Sequence, residues 1–120
     1  MAITPLNSYT AVQQFMTQIV TQNNETAELQ GSPHLGFWSA LNYDQFTTGN
    51  IPNVLDPNGN PMPILTKGTS AQSNIIMALQ GTGPIFGPTG AYDQMPPRGP
   101  KFTPDQIKSI ANWIDAGCPK

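Results

Sequence analysis

The stretch TPDQIKSIANWIDAG, residues 103–117, is the part of the sequence that decides most about the fold. Thr103 is placed to cap a helix, Pro104 suits the first helical position, and Gln106 completes a capping box. The apolar residues that follow at helical spacing are Ile107, Ile110, Ala111 and Ile114, with Trp113 beside them. A glycine then ends the pattern. This stretch predicts an α-helix over residues 103–116.

A second amphipathic pattern near the N-terminus predicts a helix over residues 10–23. Thr10 is the expected cap, with Gln13 as its capping-box partner. The apolar stripe consists of Val12, Phe15, Met16, Ile19 and Val20. A short additional helix over residues 25–30 is a weaker prediction from the same region.

Two shorter helices are predicted in the middle of the chain, over residues 43–48 and 69–80. The residues placed to cap them are Asn42, with Gln45 as its partner, and Thr69 or Ser70. Residues 50–68 and 81–100 are rich in Pro and Gly and are expected to be loops. No strand-like alternation longer than four residues is visible. The sequence therefore predicts one all-α domain over residues 1–120, with four to five short helices and long loops.

The composition of the chain argues against several classes of function. Apolar residues make up 38% of the chain and charged residues only 10%, with a net charge of −2. Five cations without a basic cluster are not the electrostatic pattern of a nucleic-acid-binding protein. No run approaches the roughly 18 apolar residues that a membrane-spanning helix needs. No signal peptide is visible either, so a cytoplasmic location is expected unless a leader has been removed.

The single cysteine, Cys118, and the single histidine, His34, exclude several kinds of site. One cysteine cannot form an internal disulfide or a cysteine-rich zinc centre, and one histidine cannot build a multi-histidine metal centre. No metal site is predicted.

The segments MPPRGP (residues 95–100), FTPDQI (102–107) and WIDAG (113–117) together resemble the C-terminal third of bacterial c-type cytochrome domains. Residues 64–81 resemble the helix that precedes the haem-ligand loop of the same family. The resemblance covers residues 60–120 well and residues 10–50 faintly. It implies an all-α, cytochrome c-like fold in which the first and last helices cross.

The resemblance also implies haem ligands, and here the sequence departs from the family. His34 stands where the proximal histidine of the C-x-x-C-H motif is expected, and Met95 where the distal methionine is expected. The two cysteine positions hold Gln30 and Pro33, which cannot form thioethers. Covalent haem is therefore excluded, and Cys118 lies too far along the chain to replace the missing pair.

Three hypotheses follow for the space that haem occupies in the family. In the favoured one, aromatic side chains fill it, because a void of that size is costly and each ring buries a large area. The protein is then a haem-free binding or interaction domain without a cofactor, and its partner is a small molecule, a carbohydrate or a protein. The candidate ligand-contacting residues are Phe37, Trp38, Tyr43, Phe46, Phe86, Tyr92 and Arg98.

The two alternatives keep the site open. In the first, His34 and Met95 hold haem non-covalently for electron transfer, since imidazole and thioether form a known axial pair. In the second, the cleft is catalytic, with His34 as general base. The candidate partners of His34 are then Asp44, Asp93, Tyr43, Tyr92 and Arg98. The sequence contains no catalytic motif and no recognisable dyad or triad, so a non-enzymatic role is favoured. If the aromatic residues of 37–46 and 86–92 point inward, the structure favours the haem-free binding domain over both alternatives.

Overall fold

The computed structural model describes residues 5–25, 36–86, 90, 92, 94, 95 and 100–120. In chain order, the helices and strands are α1 (Tyr9–Gln22), α2 (Phe37–Ala40), α3 (Tyr43–Thr48), β1 (Asn50–Leu55), β2 (Pro61–Pro63), a 3-10 helix (Ser70–Gln72), α4 (Asn74–Gln80), α5 (Gly83–Phe86) and α6 (Pro104–Asp115). The predicted helix over residues 25–30 lies outside the described residues, except for Glu25.

The prediction of an all-α, cytochrome c-like fold is wrong, because β1 and β2 form an antiparallel two-stranded sheet. The architecture is mixed: besides the helices it contains a hairpin, in the segment that we expected to be a loop. The hairpin pairs Asn50 with Pro63 and Leu55 with Pro61, and β1 bulges between these two pairs. Asn53 lies in the bulge with a φ of 60°.

The hairpin exists despite its prolines because a two-stranded sheet consists of edge strands only. In such a sheet alternate N–H groups point away from the partner strand, and a proline at those positions removes no ladder hydrogen bond. The turn is stabilised by Asp56, whose carboxylate accepts hydrogen bonds from the backbone N–H groups of Asn58 and Asn60, each at 2.9 Å. Gly59 adopts a φ of 82°, a left-handed conformation that favours glycine.

The predicted helices over residues 10–23, 43–48 and 103–116 agree with the structure to within one residue, and the cap of the first one differs. The side chain of Ser8, rather than Thr10, caps α1 by accepting a hydrogen bond from the N–H of Ala11. Both other predicted capping boxes are confirmed. They are formed by Asn42 with Gln45 at α3, and by Thr103 with Gln106 at α6.

The predicted helix over residues 69–80 is divided into the 3-10 helix and α4. The break lies at Ser73, whose buried hydroxyl donates to the carbonyls of Thr69 and Thr66 and accepts from the N–H of Thr66. Such hydroxyl bonds compete with regular helical bonding. Gly81 ends α4 in a left-handed conformation, which favours glycine.

The core lies where α1 and α4 meet α6. Trp113 is 1% exposed, and its ring stacks on that of Tyr9, in the first helix, with 6.3 Å between the centroids. The chain after α6 folds back onto this core. The indole N–H of Trp113 donates to the carbonyl of Pro119 at 2.9 Å, and Cys118 is completely buried.

Among the described helices, none has the length and apolar character needed to cross a membrane.

Candidate functional site

The aromatic residues singled out in the sequence point inward. Phe37, Trp38, Phe46 and Phe86 are buried, and Tyr43 and Tyr92 are half-buried. The exposed fraction is 8% for Phe37, 6% for Trp38 and zero for Phe46. These side chains therefore belong to the core and do not form an exposed stacking platform.

Phe46 is the centre of an aromatic cluster formed by α1, α2, α3 and α6. Its ring centroid lies 5.0 Å from that of Tyr9, 6.1 Å from that of Phe37 and 6.2 Å from that of Trp113. Such distances are typical of favourable ring–ring packing. Tyr9 is a member that was not among the aromatic residues singled out in the sequence. Its position three residues before Val12, on the same stripe of α1, was the available signal.

The hydroxyl of Tyr9 connects this cluster to α2. It lies 2.8 Å from the carbonyl oxygen of Trp38 and 2.6 Å from that of Leu41, so its single proton is shared between two acceptors. Burial raises the pKa of Tyr9 to about 12, and a hydrogen bond with Gln13 partly opposes the shift. The phenol is therefore neutral near pH 7 and acts as a structural donor.

Phe86 and Tyr92 form a second aromatic pair, with centroids 6.0 Å apart. The Tyr92 hydroxyl donates to the carbonyl of Leu55, at the end of β1, so the pair adjoins the hairpin. Met95 is half-buried nearby, and its N–H donates to the carbonyl of Ala78 in α4 at 2.8 Å. Met95 thus packs against the core, although the loop that contains it is only partly described.

Among the other candidate residues, Asp44 is the one that lies in the described part of the chain. His34, Arg98 and Asp93 lie outside the described residues. Asp44 is exposed in the first turn of α3. The neighbouring Tyr43 hydroxyl donates to the backbone carbonyl of Cys118 at 2.5 Å, so it is engaged in holding the chain end.

Two lysines flank the Tyr43 ring. The ammonium of Lys67 lies 5.2 Å from the ring centroid and that of Lys120 lies 5.4 Å from it, both within cation–π range. Burial raises the pKa of the Cys118 thiol, and the charge of Lys67 opposes this shift. A buried thiol that stays protonated is a poor nucleophile. In the described part of the chain, no group of three or more His, Cys, Asp or Glu side chains is placed to hold a metal ion.

The surface carries an open groove between α1 and α2 that the sequence analysis did not identify. We call it the α1–α2 groove. It has a volume of about 500 Å³ and is lined by Thr10, Gln13, Gln14, Thr17, Gln18 and Ser39. These residues had the appearance of an ordinary solvent-facing helix surface. The available signal was the absence of any charged residue from α1.

The groove is attached to the aromatic cluster through Trp38. The Nε1–H of Trp38 donates to the hydroxyl oxygen of Thr17 at 3.1 Å, and the side-chain amide of Gln13 donates to the carbonyl of Trp38 at 2.9 Å. The hydroxyl of Ser39 donates to the carbonyl of Gly36 at 2.9 Å. Three of the six lining side chains are therefore held in place by the fold.

Comparison with protein-family models, with curated proteins and with solved structures finds no match for this chain.

Proposed function

We propose that this chain is a haem-free binding domain whose interior is filled by its own aromatic side chains. The observation that best supports this proposal is the complete burial of Phe46 among the rings of Tyr9, Phe37 and Trp113. Rings packed at these distances leave no room between them for a porphyrin, because protein interiors are close-packed.

The absent thioether cysteines support the same proposal from the sequence. Gln30 and Pro33 occupy the positions where the cytochrome-like pattern requires cysteines. With a filled aromatic cluster and no covalent attachment, the domain acts by recognising a ligand or partner at its surface. The resemblance of residues 60–120 to c-type cytochrome domains stays a hypothesis about ancestry.

One alternative is supported by the position of Met95. Its side chain packs against the core beside α4, where a thioether is available at the edge of the interior. Together with His34 it would supply an axial pair for non-covalently bound haem, whose chemistry is one-electron transfer. None of the described residues favours the enzyme hypothesis.

A haem titration monitored by absorption separates the two functions. We expect no saturable change in the Soret band under reducing or oxidising conditions, in the wild-type chain or in His34→Ala. A saturable one-to-one Soret shift that disappears in His34→Ala and weakens in Met95→Ala would overturn the proposal and establish haem binding. Tryptophan fluorescence provides a second readout, because bound haem would quench Trp38 and Trp113.

A further inference from the structure

We propose that Asn58, in the turn of the β1–β2 hairpin, deamidates spontaneously to a mixture of isoaspartate and aspartate. This modification site is independent of the proposed function, since the reaction needs water and neither a ligand nor a partner. Three observations support it: the residue that follows Asn58, the exposure of both residues, and the hydrogen bonds that hold their backbone.

Asn58 is the only asparagine of the chain that is followed by glycine. Asparagine is a thermolabile residue, because the backbone nitrogen of the next residue can attack its side-chain amide carbon. Glycine has no Cβ to hinder this approach. The attack forms a C–N bond between the Gly59 nitrogen, which loses its proton, and Cγ of Asn58, and the side-chain nitrogen leaves as ammonia. Water then opens the cyclic succinimide at either carbonyl, which gives isoaspartate or aspartate.

The fold leaves this pair of residues accessible. Asn58 and Gly59 are both exposed, in the turn between the two strands. A Cβ placed on Gly59 would meet no other atom within 4 Å, so the described part of the chain does not crowd this residue or keep water from it. The site is therefore open to both steps of the reaction.

The native turn slows the first step without preventing it. The N–H of Gly59 donates to the carbonyl of Asp56 at 2.9 Å, and the carboxylate of Asp56 accepts from the N–H groups of Asn58 and Asn60. The Gly59 nitrogen must leave its hydrogen bond before it can attack. Because one such bond contributes on the order of 1 kcal/mol, we expect the folded chain to react about fivefold more slowly than the unfolded chain.

Isoaspartate changes the turn itself. The main chain then runs through the former side-chain methylene, so the path from residue 58 to Gly59 becomes one carbon longer. The N–H of Asn60 donates to the Asp56 carboxylate, and the N–H of Asp56 donates to the Asn60 carbonyl at 2.8 Å. A longer path between these two residues strains both bonds, and the new carboxylate adds a charge of the same sign close to Asp56. We therefore expect faster amide hydrogen exchange at Asn60 in the modified chain.

The test is to incubate the purified chain at neutral and at alkaline pH and to follow residue 58 by peptide mass mapping, with isoaspartate detected by enzymatic methylation. We expect Asn58 to be converted before any other asparagine, and faster at alkaline pH because the attacking nitrogen must lose its proton. The same chain in urea should react about fivefold faster than the folded chain. In the folded state, Asp56→Ala should react faster than the wild type, because it removes an acceptor that holds the turn closed.

The same turn contains an internal control. Asn60 is also exposed, but it precedes Pro61, whose nitrogen carries no hydrogen and cannot attack. Asn60 should therefore stay intact under conditions that convert Asn58. The matched variant is Asn58→Gln, which keeps a side-chain amide but would have to form a larger ring, so position 58 should stay unmodified over the same period.

Three results would overturn the inference. The first is conversion of Asn7, which precedes Ser8, before conversion of Asn58. The second is conversion of Asn60 at the same rate as Asn58, which would indicate direct hydrolysis instead of cyclisation. The third is an Asn58 that reacts in urea but stays unchanged in the folded chain. Equal rates in the folded and the unfolded chain would contradict the protection that we assign to the hydrogen bonds of the turn.

Discussion

Phe46 is the residue on which the aromatic cluster depends most, because three rings contact it and none of its surface is exposed. Replacing it with alanine leaves a cavity that the surrounding rings can only partly fill. We expect Phe46→Ala to lower the free energy of unfolding by about 3–5 kcal/mol. Urea denaturation followed by tryptophan fluorescence measures this.

The control variant is Phe46→Leu, which removes the aromatic ring but keeps most of the side-chain volume. It should destabilise the protein less than Phe46→Ala does. If Phe46→Ala lowers the free energy of unfolding by less than about 1 kcal/mol, the cluster is not closely packed, since surface substitutions have effects of that size.

Asp115 shows how an exposed carboxylate joins two distant segments. Its Oδ1 accepts from the N–H of Ser70 and its Oδ2 from the hydroxyl of Ser70, both at 2.8 Å. The backbone hydrogen bond, then the hydroxyl bond, lowers the pKa of Asp115 below its ordinary value of 3.8. Because the folded state favours the ionised form, its stabilisation is present above the ordinary pKa and is lost as pH falls through the lower, folded value.

We therefore expect Asp115→Asn to be less stable than the wild type at pH 7, by less than about 1 kcal/mol because solvent screens this exposed site. The difference should shrink as the pH is lowered below about 4. Unfolding free energies measured from pH 7 to pH 2 test this, with Ser70→Ala as the partner control. A difference that is constant with pH would show that the carboxylate charge has no role.

At the scale of one element, α6 owes its sharp start to the Thr103 capping box. The hydroxyl of Thr103 accepts from the N–H of Gln106 at 3.1 Å, and the Gln106 side chain accepts from the N–H of Thr103 at 2.8 Å. We expect Thr103→Ala to lower the free energy of unfolding by about 1 kcal/mol, while Thr103→Ser retains most of it. Thermal and urea unfolding measure both variants. Equal stability of Thr103→Ala and the wild type would show that the box is not formed in solution.

The helices could be predicted from the sequence because their determinants are local. A cap and its partner are three residues apart, and an apolar stripe repeats every three to four residues, so both are visible in the chain itself. The hairpin was missed for a different reason. Its pairing is local, but a bulge in β1 interrupts the alternation of a regular strand, and the prolines that argued for a loop are tolerated because the sheet has only edge strands.

At the scale of the whole molecule, the chain end is part of the core. The N–H of Cys118 donates to the carbonyl of Trp113 at 3.0 Å, the Tyr43 hydroxyl donates to the Cys118 carbonyl, and the thiol is fully buried. A thiol reagent should therefore label the native protein only through opening of the fold. We expect labelling at pH 8 to be no faster than global unfolding measured under the same conditions.

The control is Ala116→Cys in a Cys118→Ala background, since Ala116 is exposed and lies two residues before the buried position. Its thiol should react at the rate of an unprotected cysteine. Rapid labelling of Cys118 in the wild type would contradict a docked chain end and show that the last residues open independently of the core.

The sequence by itself determined the helices predicted over residues 10–23, 43–48 and 103–116, two of the capping boxes and the candidate aromatic residues. These properties depend on residue chemistry or on neighbours within one turn. Only the tertiary structure decided that β1 and β2 pair, that Phe46 is enclosed by Tyr9, Phe37 and Trp113, and that a groove lies between α1 and α2. The aromatic cluster and the groove depend on contacts between segments that are far apart in sequence, and a local pattern does not specify which distant surfaces meet. The hairpin depends on a bulged pairing that the residue pattern does not show.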